Sequence, residues 1–203
     1  MTTRPKRTAA FALCGSFCSF SAVLPQIQVL TARGWEILPI LSASAAGLDT
    51  RFGTAAALRQ TLLELTGHEP LTTLQGVEPL GPQKLADALI IAPATGTTMA
   101  LLAAGISATP VTLAAKSLLR GGRPIILAPS TNDGLAGSAP ALGQLLQRRS
   151  YYFVPFGQDD CYKKPRSLKS DFTLLPDTLD AALRGVQLAR LRNLLRLWEC
   201  LAM

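Results

Sequence analysis

Residues 92–98 read Ala-Pro-Ala-Thr-Gly-Thr-Thr and close an apolar run that begins at Leu89. Small and hydroxyl side chains at the end of a buried strand have two uses. They turn the chain into a capped helix, a threonine oxygen accepting a free backbone N–H. They also line a seat for a flat or phosphorylated ligand, offering hydroxyls and backbone N–H groups to a ring edge or an anion. The same vocabulary recurs at three other places. An apolar run ending at Cys14 leads into Gly15-Ser16-Phe17-Cys18-Ser19. One ending at Leu41 leads into Ser42-Ala43-Ser44, and one ending at Pro129 into Ser130-Thr131-Asn132-Asp133. One such end is a cap. Four together describe a polar rim that a ligand can approach closely.

The first of these segments is neither G-x-G-x-x-G nor a P-loop, so no dinucleotide or triphosphate motif is present. A monophosphate held by Ser and Gly, or plain turn chemistry, remains. Asn132 either turns the chain or reaches a substrate carboxylate or ring carbonyl. The segment Phe-Gly-Gln-Asp-Asp-Cys-Tyr-Lys-Lys-Pro-Arg-Ser (156–167) is long for a connection and reads as a solvated loop or a lid. Its Lys163, Lys164 and Arg166 suit a dianionic substrate. His68, the sole histidine, lies in Thr66-Gly67-His68-Glu69-Pro70 and reads as an exposed residue at a helix end. Cys14 and Cys18 form a C-x3-C pair without a second pair or nearby histidine, so no metal site is expected. Cys14 reads as a small core residue.

These residues need a scaffold. Apolar runs at 8–14, 35–41, 85–92, 124–129 and 151–156 read as strands. Helical spacing covers 21–33, 54–66, 97–104, 110–119, 139–149 and a long last stretch at 176–198. The strands are continuously apolar and do not alternate, and helices separate them. Both facts predict an α/β fold: a doubly wound, mostly parallel sheet with helices on both faces. Ligands of such sheets bind outside the carboxyl ends of the strands, where the rim residues stand.

The 203 residues suit a single domain, 1–203. Apolar residues make up 48% and charged ones 16%, which excludes disorder except at the ends. No apolar run reaches the ~18 residues that read as a membrane span, and the basic start reads as leading into a strand, so a cytoplasmic location is expected. Four cysteines are too few for a disulfide scaffold. The net charge of +7 gathers in the N-terminal tail, at 163–166 and at 184–196. No nucleic-acid motif accompanies it, and aromatic residues are only 6%, so an anionic small ligand or acidic partner explains it better.

The residues also carry a resemblance. "APATG" (92–96) and "RPIILAPSTND" (123–133) resemble the two signature segments of the flavoprotein family that contains the homo-oligomeric flavin-containing cysteine decarboxylases. "GSFCSFSAVLPQI", "TRFG", "EPLGP", "PVTLAAKSLLR" and "FVPFGQDDCYKKPRSL" extend it across nearly the whole chain in order. The resemblance implies a Rossmann-like flavoprotein fold that binds FMN. It places Gly15, Ser16, Ser19 and Ser42 at the phosphate. It places Pro93, Thr95, Gly96, Thr97 and Thr98 at the ring and ribityl chain, and Ser130 and Thr131 beside the ring. Asn132, Lys163, Lys164 and Arg166 would meet a small dicarboxylate substrate. It further implies a homo-oligomer, trimeric or a multiple, and a second type of chain that binds NAD(P). Together the two would oxidise a cyclic lysine-pathway precursor to an aromatic dicarboxylic acid in sporulating cells. The family's first motif usually carries asparagine where this chain has Thr97, and its decarboxylases use an active-site histidine, a place to which the resemblance does not assign His68. A flavin-dependent lyase and a non-catalytic flavin-binding scaffold are the alternative readings.

Overall fold

A computed structural model describes residues 7–188. The elements in chain order are β1 (Thr8–Leu13), α1 (Phe20–Ala32), β2 (Glu36–Leu41), α2 (Ala43–Gly47), α3 (Ala55–Thr66), α4 (Leu74–Val77), β3 (Ala88–Ala94), α5 (Gly96–Ala103), α6 (Pro110–Arg120), β4 (Ile125–Thr131), α7 (Ala139–Leu146), β5 (Tyr151–Phe153), β6 (Phe156–Asp160), β7 (Lys164–Ser170) and α8 (Leu175–Ala182).

β1 to β5 are parallel, in the order β2-β1-β3-β4-β5. Successive side chains of a strand face opposite sides of the sheet, so a strand covered on both faces must be apolar throughout. Phe11, Leu13, Ile90 and Ile126 join Val23, Ile27 and Leu30 of α1, Leu62 of α3 and Leu179 of α8 in one core layer. Ala10, Ala12, Leu89, Ile91 and Leu127 join Met99, Leu102, Val111, Leu118 and Leu145 of α5, α6 and α7 in the other. Each of the fully buried Leu and Ile side chains stabilises the fold by about 1.5–3 kcal/mol.

The helices start where short polar side chains stand. Ser42, Thr54, Thr73, Thr95 and Thr109 each accept a backbone N–H from the first turn of α2, α3, α4, α5 and α6, a contribution of about 1 kcal/mol apiece. α3 stops at Gly67, whose φ of 74° is the left-handed conformation that glycine adopts without strain.

Two expectations fail. Residues 156–167 are not a loop: most of them build β6 and β7, an antiparallel hairpin. β7 also pairs antiparallel with the end of β4, Ser130 opposite Lys169 and Thr131 opposite Leu168. The pairing prolongs β4 past Pro129 to Thr131. Backbone hydrogen bonding, which needs no apolar pattern, accounts for strands that a hydropathy reading passes over. The last predicted helix is short. It ends at Ala182, where Gly185 takes φ 75° and the Val186 N–H returns to the Ala181 carbonyl. The remainder of that predicted helix, from 189 on, and the basic N-terminal tail before Arg7 lie outside the described residues.

Candidate functional site

The strand order reverses at β1: β2 lies on one side of it and β3 on the other. A doubly wound sheet opens a crevice at such a point, between the loops that leave the two strands. Here those loops are Gly15–Ser19 after β1 and the Thr95–Thr98 turn after β3. The end of β4 with its hairpin stands beside them.

The first loop is tied down by hydroxyls. Ser130 Oγ at the end of β4 lies 2.9 Å from Ser16 Oγ and 2.8 Å from Ser19 Oγ, and the latter two are 3.4 Å apart. Ser19 is fully buried and Ser130 nearly so, whereas Ser16 is half-exposed. The cluster therefore presents one hydroxyl to the rim, Ser16, backed by two beneath it. A 3-10 turn at Phe17–Ser19 leads into α1 and takes the Ser19 and Phe20 N–H groups onto the Ser16 and Phe17 carbonyls, so the helical run starts at Phe17, beside the cluster. Together the helical start and the cluster suit an anion, without any charged side chain in the cluster. Gly15 approaches α2 closely; a Cβ there would stand 3.1 Å from Ser44 Cβ. Ser42 uses its side chain to cap α2.

The second turn crosses the crevice. Thr98 Oγ1 donates to Cys14 Sγ at 3.3 Å, which pins the start of α5 to the end of β1. Burial pushes the Cys14 thiol up to about 11, so it stays protonated and is a core residue as the sequence suggests. Thr95 caps α5, with Thr98 N–H and Thr98 Oγ1 3.4 and 3.1 Å from its oxygen. Pro93 is buried within β3 after a cis Ala92–Pro93 peptide. Thr98 and Pro93 are thus packed inside. Thr95, Gly96 and Thr97 keep the exposure that a ligand contact needs.

The third part is the end of β4. Thr131 Oγ1 and Ser138 Oγ both donate to Asp133 Oδ1, each at 2.6 Å. These two hydroxyls, Ser138 first, hold the Asp133 carboxyl below the usual carboxylate range. Gly96 fits against this group with no room for a side chain: a Cβ would lie 2.2 Å from Ser138 Oγ and 3.0 Å from Thr131 Oγ1. In sequence Asp133 reads as a turn residue and Ser138 draws no notice. Ser-Ala-Pro at 138–140 signals a helix cap, and Ser138 does stand at the N-cap of α7, but its hydroxyl is spent on Asp133 and makes no cap bond.

The hairpin belongs to the same rim. Ser167 Oγ donates to the Asn132 carbonyl and the Leu135 N–H to the Arg166 carbonyl. Asn132, Lys163, Lys164 and Arg166 are all exposed there. Lys164 is paired with Asp159 at 2.8 Å, and this bond and charge raise its pKa. At the hairpin tip Asp160 Oδ1 accepts from the Tyr162 and Lys163 N–H groups, which lowers its pKa.

Two features lie apart from these residues. His68 Nε2 is 3.0 Å from Glu36 Oε1, at the start of β2. The rim is at the far end of that strand, roughly 17 Å away at ~3.3 Å per residue. A cavity of about 260 Å³ adjoins the first loop and the segment that follows β2. It is lined by Phe17, Phe20, Leu24, Leu48, Phe52 and Leu58, none of which spacing singled out. Among the described residues no group of three or more His, Cys, Asp or Glu is placed to hold a metal, and no helix is long and apolar enough to cross a membrane.

A doubly wound sheet with a polar rim at its switch point is an architecture that many nucleotide- and flavin-binding proteins share, and residues 2–139 match the family described as Flavoprotein. The chain belongs to the flavoprotein family. It is 39% identical over 188 residues to the B subunit of dipicolinate synthase from Bacillus subtilis (strain 168), covering 93% of this chain and 94% of that protein. It superposes on the crystal structure of the corresponding dipicolinate synthase chain from Bacillus halodurans with a TM-score of 0.82 and 34% identity, over 90% of this chain and 93% of that one. The FMN-dependent cysteine decarboxylase SpaF shares the fold at a TM-score of 0.65 and 24% identity, over 87% of this chain and 97% of that one.

Proposed function

We propose that this chain is the FMN-binding component of a two-component oxidoreductase that forms dipicolinic acid. The observation that carries this reading is the 39% identity to the B subunit of dipicolinate synthase over almost the whole of both chains. The partner is the A subunit of dipicolinate synthase, carrying NAD(P), and the chain assembles as a homo-oligomer, a trimer or a multiple. The setting is sporulation, in the cytoplasm of the mother cell.

The rim's chemistry fits FMN. Ser16, backed by Ser19 and Ser130, and the start of the helical run at Phe17 form a phosphate seat of dipoles, with Gly15 and Ser42 shaping it. Thr95, Gly96 and Thr97 line the path of the ring and ribityl chain, fixed from behind by Pro93 and Thr98, with Thr131 beside them. When bound, FMN supplies a two-electron acceptor. Dihydrodipicolinate loses two electrons and two protons in becoming dipicolinate; the hydroxy-tetrahydro precursor must also lose water. This chain's part is to orient a dianionic ring. Asn132 offers an amide, and Lys163 and Arg166 offer positive charge from the hairpin, whereas Asp159 offsets much of Lys164.

A flavin-dependent lyase is the second reading, favoured by the fold shared with SpaF. Two observations weigh against it: Thr97 stands where the family's first motif usually carries asparagine, and the sole histidine lies at the opposite end of the sheet. The test is an absorbance spectrum of the purified chain, identification of the flavin released on denaturation, and turnover with and without the nicotinamide-binding partner. Released FMN with nicotinamide-dependent turnover that requires both chains is the expected result. Carbon dioxide release by this chain alone would establish the lyase. Turnover by the partner alone that ignores flavin would leave this chain a scaffold.

A further inference from the structure

Asp133 makes none of the contacts assigned to FMN, yet two rim hydroxyls are committed to it. Two hydroxyls converge on one of its oxygens at 2.6 Å, from Thr131 and Ser138. An ionised carboxylate has no proton to give, so both hydroxyls must donate to it. A threonine hydroxyl has a single proton. Once that is committed to Asp133, only lone pairs of Thr131 Oγ1 remain for anything else.

We propose that Asp133 is a positioning residue that makes Thr131 an acceptor-only contact, and that Thr131 accepts the ring N3–H of the bound flavin. The inference rests on the flavin reading. Thr131 adjoins the segment read as lining the ring's path. Its Oγ1 lies 3.0 Å from where a Cβ of Gly96 would stand, at the first residue of α5, and the residue is half-exposed. An oxidised flavin ring carries acceptors along its pyrimidine edge and one N–H, at N3. An acceptor-only hydroxyl is matched to that N–H and mismatched to the carbonyls on either side of it. With Asp133 absent, the hydroxyl would be free to turn its proton outward and serve either partner. The carboxylate stays ionised across neutral pH because the same two hydroxyls hold its pKa low, so the selection does not fade in the physiological range.

The test is a fluorescence titration of the full chain with FMN and with 3-methyl-FMN, which lacks the ring N–H. Four variants are compared with the unsubstituted protein: Thr131→Val, Asp133→Ala, Asp133→Asn and Ser138→Ala. The unsubstituted protein should bind FMN about 10-fold tighter than the methylated form, the worth of one hydrogen bond. Thr131→Val and Asp133→Ala should lose most of that ratio. Asp133→Asn keeps an acceptor oxygen and should retain most of it. Ser138→Ala loosens the loop without freeing Thr131, so it should lower both affinities and leave the ratio intact; a purely structural role for Asp133 would make Asp133→Ala behave the same way. A wild-type ratio in Asp133→Ala, or equal binding of the two flavins by the unsubstituted protein, overturns the assignment alone. Failure of the unsubstituted protein to bind either flavin overturns the flavin reading and this assignment together.

Discussion

Gly96→Ala isolates the packing that joins the two rim segments. Gly96 opens α5 and does not take a positive φ, so alanine meets no backbone penalty there. Helix propensity alone favours alanine over glycine, by up to about 1 kcal/mol in a helix interior and less at a first position. The added Cβ, however, would stand 2.2 Å from Ser138 Oγ, 3.0 Å from Thr131 Oγ1 and 3.2 Å from Asp133 Oδ1. Ser138 is buried, and its hydroxyl must swing away, breaking its 2.6 Å bond to Asp133. A hydrogen bond to a charged group contributes about 1.5–3 kcal/mol; with Asp133 exposed to solvent the lower end applies. Set against the propensity gain, the net is a destabilisation of about 1 kcal/mol, a fall in Tm of roughly 2–4 °C for a chain of this size. Urea denaturation of Gly96→Ala, Ser138→Ala and the double variant measures it. Ser138→Ala removes the obstructing oxygen, so the double variant should be more stable than the sum of the two losses implies. A Gly96→Ala protein as stable as the parent, or strictly additive losses, would refute the argument.

Three further outcomes are expected. The stability difference between the parent and Asp133→Ala should be flat from pH 8 to about 5. It should close as pH falls below about 4, because a carboxylate with a depressed folded pKa stabilises above its unfolded value and loses that contribution on protonation; urea midpoints across pH check this. Cys14, its thiol pushed up to about 11, should resist iodoacetamide at pH 8 while exposed Cys18 reacts; peptide mass spectrometry of the folded protein reads the adducts, and alkylated Cys14 would contradict the buried assignment. In the assay with both chains, Arg166→Ala should raise the substrate KM roughly 10-fold, in keeping with loss of a charge-assisted contact. Lys164→Ala should raise it by less, since Asp159 already offsets that charge.

The parallel sheet was legible because a strand buried on both faces has no freedom to be polar: Phe11, Ile90 and Ile126 announce it, and Thr54 and Thr95 mark helix starts by local hydrogen bonding. The four hydroxyl-rich strand ends were legible for the same reason, since a polar stretch stands out after an apolar run. The β6–β7 hairpin was not, because its pairing is made by backbone groups and its side chains are mostly exposed. Gly185 also stopped a helix that apolar spacing would have carried on.

Composition and short-range pattern thus determined the layers of this protein and the kinds of side chain on its rim. Only the tertiary structure decided which of them face outward. Ser16, Ser19 and Ser130 look equivalent in sequence, but contacts between residues more than 110 positions apart bury two and leave one half-exposed. Asp133 reads as a turn residue until β4 and α7 bring Thr131 and Ser138 onto a single oxygen. The direction of a hydroxyl's proton is fixed by its neighbours in space, and a sequence lists only its neighbours along the chain.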